Sequence, residues 1–489
     1  MTPVSRRAVL LGAATVVGGG ALGACSRSAP TTDRPLIIPR QSPLTPGSGQ
    51  RLVERTLTAR PTTADLGGAN VGTWAYGDTI PGPEIRATAG DLVRITVDNQ
   101  LPADTSIHWH GIALRNASDG VPGLTQEPIA SGDRYVYEFV APDPGTYFYH
   151  PHVGVQLDRG LYAPIIIDDP AEPGAYDLEW TVLLDDWIDG TGTTPDEVLS
   201  GLIEGSSGDM GDMDMSEGDM DMGSDDSPFG DAGDVTYPYF LVNGRIGTAP
   251  DVLRARPGQR VRLRLINAAA DTIFAVALGE HRMTITHSDG FAVEPRETGA
   301  LYIGMGERYD AIVTLGDGVF PLVARPVDKQ GQGMALIRTG AGASPSPGVT
   351  PAELDAETIS GVALEPAEEA RLPVRPARQE LTLTLTGQMS PYAWAINEAP
   401  YPANERLELV PDERVRMRVS NRTTMAHPFH LHGHTFALPN GLRKDTVLMK
   451  PMQDLTLELQ TDNPGNWLAH CHNIYHAEAG MMAALVYAS

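Results

Sequence analysis

One strand pattern is written three times along this chain, and any fold must house all three copies. Gly90-Asp-Leu-Val-Arg-Ile-Thr-Val-Asp-Asn99 matches Gly258-Gln-Arg-Val-Arg-Leu-Arg-Leu-Ile-Asn267, and both match Asp412-Glu-Arg-Val-Arg-Met-Arg-Val-Ser-Asn421. Apolar and polar residues alternate in each copy, the pattern of a half-buried strand. Each copy follows a turn-forming Gly or Asp and ends at Asn. The spacing, about 160 residues, suits one β-sandwich domain per copy. Gly (52) and Pro (40) are abundant and no long helical periodicity is present, so the chain reads as all-β.

Two anchors in the repeat locate a second pattern. Nine residues beyond each closing Asn stand His108, Val276 and His430; eleven beyond stand His110, Leu278 and His432. Five residues after Gly145, Gly318 and Gly465 stand His150, Val323 and His470; seven after stand His152, Arg325 and His472. The first and third copies thus carry matched His-x-His pairs, and the second carries none. Residues i and i+2 of a strand share a face, so each pair can reach one cluster. Copies one and three must then face each other across that cluster, with copy two as a spacer and a wall.

Ten of the 13 histidines fall in four clusters: 108/110, 150/152, 427/430/432 and 470/472/476. Cys471 stands between His470 and His472, with His476 and Met481 downstream. Imidazole and thiolate together suit copper, and Cys471, two His and a weak Met can make a blue-copper site. The other eight histidines exceed what one metal uses and imply a cluster of several coppers.

The net charge of −26 argues against a nucleic-acid partner or binding to an anionic membrane surface, and favours cations or neutral organic molecules. Ser5-Arg6-Arg7 before an apolar run from Ala8 to about Gly23 reads as a twin-arginine export signal. Leu22-Gly-Ala-Cys25 resembles a bacterial lipobox, with Cys25 as the lipidated residue and the membrane reached through that anchor. The chain has two cysteines, so a lipidated Cys25 leaves Cys471 without a disulfide partner; thiolate ligation explains why an exported chain keeps it. Expected boundaries are a signal at 1–25, a flexible tether at 26–50 and a first domain at 51–170. A second domain follows at 175–340, then a linker at 341–375 and a third domain at 376–489.

On the four histidine motifs, in this order, the chain resembles the three-domain multicopper oxidases, the laccase-like family. Within it the chain is most similar to bacterial cuprous oxidases of copper resistance, notably the mycobacterial lipoprotein type. The resemblance runs from about Leu57 to the C-terminus. It implies three consecutive cupredoxin-like Greek-key β-sandwiches and four copper ions. By the same resemblance, His427, Cys471 and His476 hold a type 1 copper, with Met481 axial and Met482 adjacent to it. His108 and His430 correspond to the type 2 ligands. His110, His150 and His472 correspond to one type 3 copper, and His152, His432 and His470 to the other. Single electrons taken at type 1 pass along Cys471 and its neighbouring histidines, and four of them reduce O2 to water. Asp119 lies where the family keeps an acid near the cluster. Several members carry an acid directly after the last motif histidine; here Ala477 stands there, followed by Glu478. His281, His287 and His434 match no ligand position.

Residues 205–226, GSSGDMGDMDMSEGDMDMGSDD, form a Met- and Asp-rich insert with no apolar periodicity. Thioethers suit Cu(I), so Met210, Met213, Met215, Met220 and Met222 are candidate Cu(I)-recruiting residues. The expected activity is oxidation of Cu(I), and also of phenols or diamines and of Fe(II), coupled to O2 reduction, by a lipid-anchored monomer outside the cytoplasm. A general laccase without a role in metal homeostasis is the nearest alternative. A copper-sequestering lipoprotein and a copper nitrite reductase are more distant ones.

Overall fold

The computed structural model describes residues 36–172, 176–205, 227–230 and 233–488. Cys25 and the five insert methionines lie outside the described residues. Six β-sheets account for the described architecture, two built from residues 52–168, two from 178–360 and two from 379–487. Among the described residues helix is confined to Pro195–Glu204, Ile474–Glu478 and short 3-10 turns. No helix among the described residues is long and apolar enough to cross a membrane.

The three sequence repeats become the three strands Leu92–Asn99, Arg260–Asn267 and Arg414–Asn421. Each occupies the same place in its sheet. Each runs parallel to the strand that opens its sandwich, Leu52–Asp65, Leu178–Trp187 or Gln379–Met389. Each is also paired antiparallel on its other edge, with Arg134–Val140, Arg308–Thr314 or Asp454–Gln460.

The closing Asn of each repeat does the same work three times. Asn99, Asn267 and Asn421 are fully buried. The Nδ2 group of Asn99 donates to the carbonyls of Ala103 and Ile129, and its Oδ1 accepts from Leu101 N–H. Asn267 bonds Thr272 and Ile303 carbonyls and Ala269 N–H. Asn421 bonds Met425 and Lys450 carbonyls and Thr423 N–H. One amide thus satisfies three buried backbone groups where the chain leaves the strand and turns toward the next sheet.

That turn delivers the histidine strands. His108–His110 pairs antiparallel with Gly145–His150, with His108 opposite His150. His427–Leu431 pairs with Asn466–Cys471, with His430 opposite His470 and Phe429 opposite Cys471. In the second sandwich Val276 lies opposite Ala324, not Val323. Counting from Gly318 therefore runs one residue short there, and both positions are apolar and buried. Trp109, between His108 and His110, turns into the first core against Phe139 (5.2 Å between centroids) and Tyr149 (5.5 Å). Each such aromatic pair adds about 0.5–1.5 kcal/mol beyond its burial and anchors the strand from behind.

Two expectations need correction. The part of the tether that is described, residues 36–50, is fixed rather than free. Gln41 donates to Ser118, Leu44 N–H to Glu138, Arg94 to the Leu44 carbonyl, Arg115 to the Ser42 carbonyl and Asn466 to the Ile37 carbonyl. Side-chain donors and acceptors on the sandwiches capture a segment whose composition alone reads as unstructured. The linker 341–375 is likewise not all connection, because Thr358–Ser360 adds a parallel strand beside Ala300–Ile303.

Asn267→Ala should lower the melting temperature, with a cost on the order of 3 kcal/mol from stranded backbone groups, while leaving copper content unchanged. A melting curve and a metal count on one preparation check both.

Candidate metal centre

Strand parity sorts the donors. In His427–Leu431, His427 and Phe429 share a face, and the cross-strand partner of Phe429 is Cys471. His430 faces the opposite way, with its partner His470. One pair of strands therefore presents Cys471 and His427 on one side and His430 and His470 on the other.

On the thiolate side, Cys471 Sγ lies 3.5 Å from His427 Nδ1 and 3.7 Å from His476 Nδ1, and the two nitrogens are 3.1 Å apart. All three residues are fully buried. Asn473 caps the helix Ile474–Glu478 through the N–H groups of Tyr475 and His476, which sets the place of the His476 ring. Trp394 covers that ring at 3.9 Å between centroids. Met481 is fully buried in the same core as Cys471; its carbonyl accepts from Cys471 N–H and its own N–H donates to the His476 carbonyl. Met482 faces away, into a separate cluster with Leu468 and Ala477.

On the other side eight buried imidazoles converge. His108, His110 and His430 bring ligand nitrogens within 4.8 Å of one another, as do His110, His150 and His472, and also His152, His432 and His470. Rings from the two ends of the chain interleave: His108 stacks on His432 at 3.7 Å and His110 on His430 at 3.9 Å. His432 Nε2 and His470 Nε2 are 3.0 Å apart.

Four of these rings have one nitrogen held by the protein and one without a protein partner. His108 Nδ1 donates to the Asp119 carbonyl (2.9 Å), His150 Nδ1 to that of Pro151 (2.9 Å) and His430 Nδ1 to that of Asp445 (3.0 Å). The Nε2 atoms of His108, His150, His152 and His430 have no hydrogen-bond partner, nor does either nitrogen of His472. His110 is reversed, with Nε2 3.0 Å from Thr446 Oγ1 and Nδ1 unpartnered. Buried orphan nitrogens are costly unless something ligates them, and an acceptor held on the far N–H is how proteins orient metal-binding histidines. Burial first, then neighbouring imidazoles, holds His110, His150, His152, His432, His470 and His472 well below the usual histidine range. They are neutral, the form that binds metal.

Two buried carboxylates clamp the stacked pairs. Asp119 reaches His432 Nδ1 (3.0 Å) and lies 3.3 Å from His108 Nδ1. Gly120, at φ 86°, lets the turn after Asp119 pass against the Ile107 carbonyl, where a Cβ has no room. Asp445 lies 3.3 Å from His110 Nε2 and 3.6 Å from His430 Nδ1. Burial works to raise the Asp445 carboxyl, but Arg308 outweighs it and holds the group well below the usual range. Asp445 and Arg308 are not singled out by the sequence: each is one charged residue in a charged run, and their pairing spans 137 positions. Asp234, also not foreseen, places Oδ2 2.9 Å from His476 Nε2 and bonds the Tyr392 hydroxyl.

Glu478 borders a cavity of about 330 Å³ lined also by Asp104, His152, Tyr401 and Met482. Burial pushes its carboxyl up to about 7. His281 and His287 lie in the second sandwich and join no donor group. His434 bonds the Tyr487 hydroxyl (2.6 Å) and the His432 carbonyl, so it supports the cluster rather than joining it.

A thiolate site joined through its own strand to a buried polyhistidine cluster defines a copper protein that passes electrons into a multi-metal centre. Family models described as multicopper oxidase match residues 58–172, 180–342 and 374–489. Multicopper oxidase MmcO of Mycobacterium tuberculosis is 46% identical over 99% of this chain and 96% of its own length. A copper resistance protein A homolog of Pseudomonas syringae is 30% identical over 82% of this chain and 87% of its own. The solved laccase of Botrytis aclada superposes with a TM-score of 0.75 at 26% identity, covering 89% and 88% of the two chains. The chain belongs to the multicopper oxidase family, whose members bind four copper ions and are oxidoreductases that use O2.

For His476, burial opposes the charge, yet Asp234 and then Cys471 raise its value to about 10 from an ordinary 6.5. In protein prepared without copper, the His476–Asp234 pair therefore contributes fully below pH 6.5, and that contribution is lost as pH rises to about 10. The melting temperature of such protein should fall over this interval, and fall less in Asp234→Asn. Parallel melting profiles for the two would contradict the assignment.

Proposed function

We propose that this protein is an exported cuprous oxidase, oxidising Cu(I) at a type 1 site and reducing O2 to water at a trinuclear cluster. The observation that carries the reading is the tripeptide His470-Cys471-His472, whose sulfur faces one donor set while its flanking rings face the other. His427, Cys471, His476 and axial Met481 form the type 1 ligand set. His108 and His430 serve type 2, His110, His150 and His472 one type 3 copper, and His152, His432 and His470 the other. When bound, copper supplies one-electron acceptance at the thiolate and four-electron reduction of O2 at the histidines.

The chain's own residues do the rest. Cys471 and its covalent neighbours make the shortest through-bond path between the two donor sets. Trp394 and Tyr392 wall the His476 ring from water, and Asp234 lies 2.9 Å from its Nε2. Asp119 keeps His108 and His432 in register and lies within reach of protons bound for the cluster. Glu478, near 7 at the rim of the adjoining cavity, suits proton delivery at neutral pH.

Cu(I) as substrate is supported by the Met-rich composition of the insert and by where its described flanks lie. The helix Pro195–Glu204 leads into it and packs against Tyr392–Ile396. Gly230, just beyond it, bridges to Met425, and Asp234 contacts His476. Both described flanks of the insert thus stand beside the thiolate site, which supports the reading that Met210, Met213, Met215, Met220 and Met222 recruit Cu(I). A role in copper detoxification follows, because oxidation turns Cu(I) into a less membrane-permeant ion. Export by the twin-arginine route and lipidation at Cys25 would place this chemistry outside the cytoplasm. Phenols, diamines and Fe(II) are further donors, since an outer-sphere donor need only approach His476.

Deleting residues 206–226 should lower Cu(I) oxidation, followed as O2 uptake, several-fold more than phenol oxidation. Equal loss, or none, removes the recruiting role. Glu478→Gln should lower kcat of O2 uptake at least tenfold with the thiolate-to-copper colour intact; an unchanged kcat takes Glu478 out of the proton path.

A further inference from the structure

The second sandwich supplies none of the donor histidines, yet it sends one side chain into the joint between the other two. Arg308 is fully buried, as is Asp445. Its guanidinium grips that carboxylate with both arms, Nη1 to Oδ1 at 2.6 Å and Nη2 to Oδ2 at 2.7 Å. Its Nε donates to the Thr146 carbonyl of the first sandwich at 3.0 Å. One arginine thus bonds to all three sandwiches, its own included through the Gly306 carbonyl (3.2 Å).

What Arg308 holds is the hinge of a ligand pair. Asp445 Oδ1 accepts from Thr446 Oγ1 at 2.9 Å. Thr446 Oγ1 sits 3.0 Å from His110 Nε2 and 2.9 Å from His430 Nδ1, on the outer edges of the two stacked rings. The clamp decides which nitrogen each ring turns inward: Nδ1 for His110 and Nε2 for His430, the two atoms left without partners. The approach is close on the same side, since a Cβ on Gly306 would come within 2.9 Å of His110 Cε1.

We propose that Arg308 is a positioning residue for the trinuclear cluster, acting through Asp445 and Thr446 to set the ring orientation of His110 and His430. This rests on the copper assignment proposed above. The copper held by His108 and His430 has only two protein ligands, so a turn of the His430 ring removes half of its anchorage. Arginine suits the role and lysine does not, because a planar fork fixes both carboxylate oxygens while an ammonium fixes a point. The second sandwich is then part of the metal centre's geometry and not only a wall beside it.

The test uses the full copper-loaded chain in three variants. Arg308→Lys keeps the charge and loses the fork. Thr446→Val keeps the ion pair and removes the hydroxyl between the rings. Arg262→Lys alters another buried ion pair, with Asp310, that touches no donor histidine, and so measures the structural cost alone. The readouts are copper per chain after challenge with a chelator, the paramagnetic resonance of the two-histidine copper, the thiolate-to-copper absorption and the melting temperature. Arg308→Lys and Thr446→Val should keep the thiolate band, shift or lose the two-histidine signal, and surrender that copper at least tenfold more readily, in the range found when such supporting partners are removed. Arg262→Lys should lose melting temperature only. Copper retention within twofold of the unaltered chain in both clamp variants overturns the proposal, whatever their melting temperatures. If Arg308→Lys fails to fold, Thr446→Val decides alone. If the unaltered chain itself lacks four coppers or the thiolate band, the copper assignment has failed and not the clamp.

Discussion

Side-chain alternation along two paired strands is the constraint on which the metal centre depends. Because neighbours in a strand point oppositely, the segment from His470 to His472 cannot put sulfur and imidazoles on one side. It must serve two sites at once, and the facing strand obeys the same parity with His427 and His430. No loop of comparable length would hold two donor sets apart and covalently joined. The surrounding hydrophobic core keeps those strands from slipping: a shift of one residue would exchange the two faces and destroy both sites.

Burial makes the arrangement work electrically. Eight imidazoles packed within contact distance would repel one another if charged, and the dry interior holds His110, His150, His152, His430, His432, His470 and His472 below the usual histidine range. The same dryness would strand their nitrogens without partners, which is tolerable where ligation satisfies them. Each of the three carboxylates at the centre has a partner. Asp119 meets His108 and His432; Asp445 meets Arg308; Asp234 meets His476. Each of these carboxylates sits behind a ring, on the nitrogen that faces away from the cluster or site.

Much of this was legible in the chain. The three repeats gave the sheet architecture, and the offsets to His108, His110, His430 and His432 foretold which sandwiches meet. The family resemblance assigned His470 and His472 to a different site from Cys471, and strand parity gives the physical reason. Asp119 was readable because it follows the first motif at short range. Asp445, Arg308 and Asp234 were not, because each acts on a ring far away in sequence and local pattern carries no record of such pairings. The offset from Gly318 was misleading by one residue, since a count along the chain does not see how a strand registers with its neighbour. Composition also misread residues 36–50, where polar side chains on the sandwiches capture a segment that has no pattern of its own.

Asn267 makes the bonds of Asn99 and Asn421, yet the strand it leads to carries Val276 and Leu278 where the others carry histidine. The turns of the scaffold therefore close on amide and backbone, not on an ion. Turns that close without an ion leave the sheet framework to be specified by the chain itself, and the ion to be met by the histidines it carries. Small zinc modules, which collapse without their metal, have no such liberty.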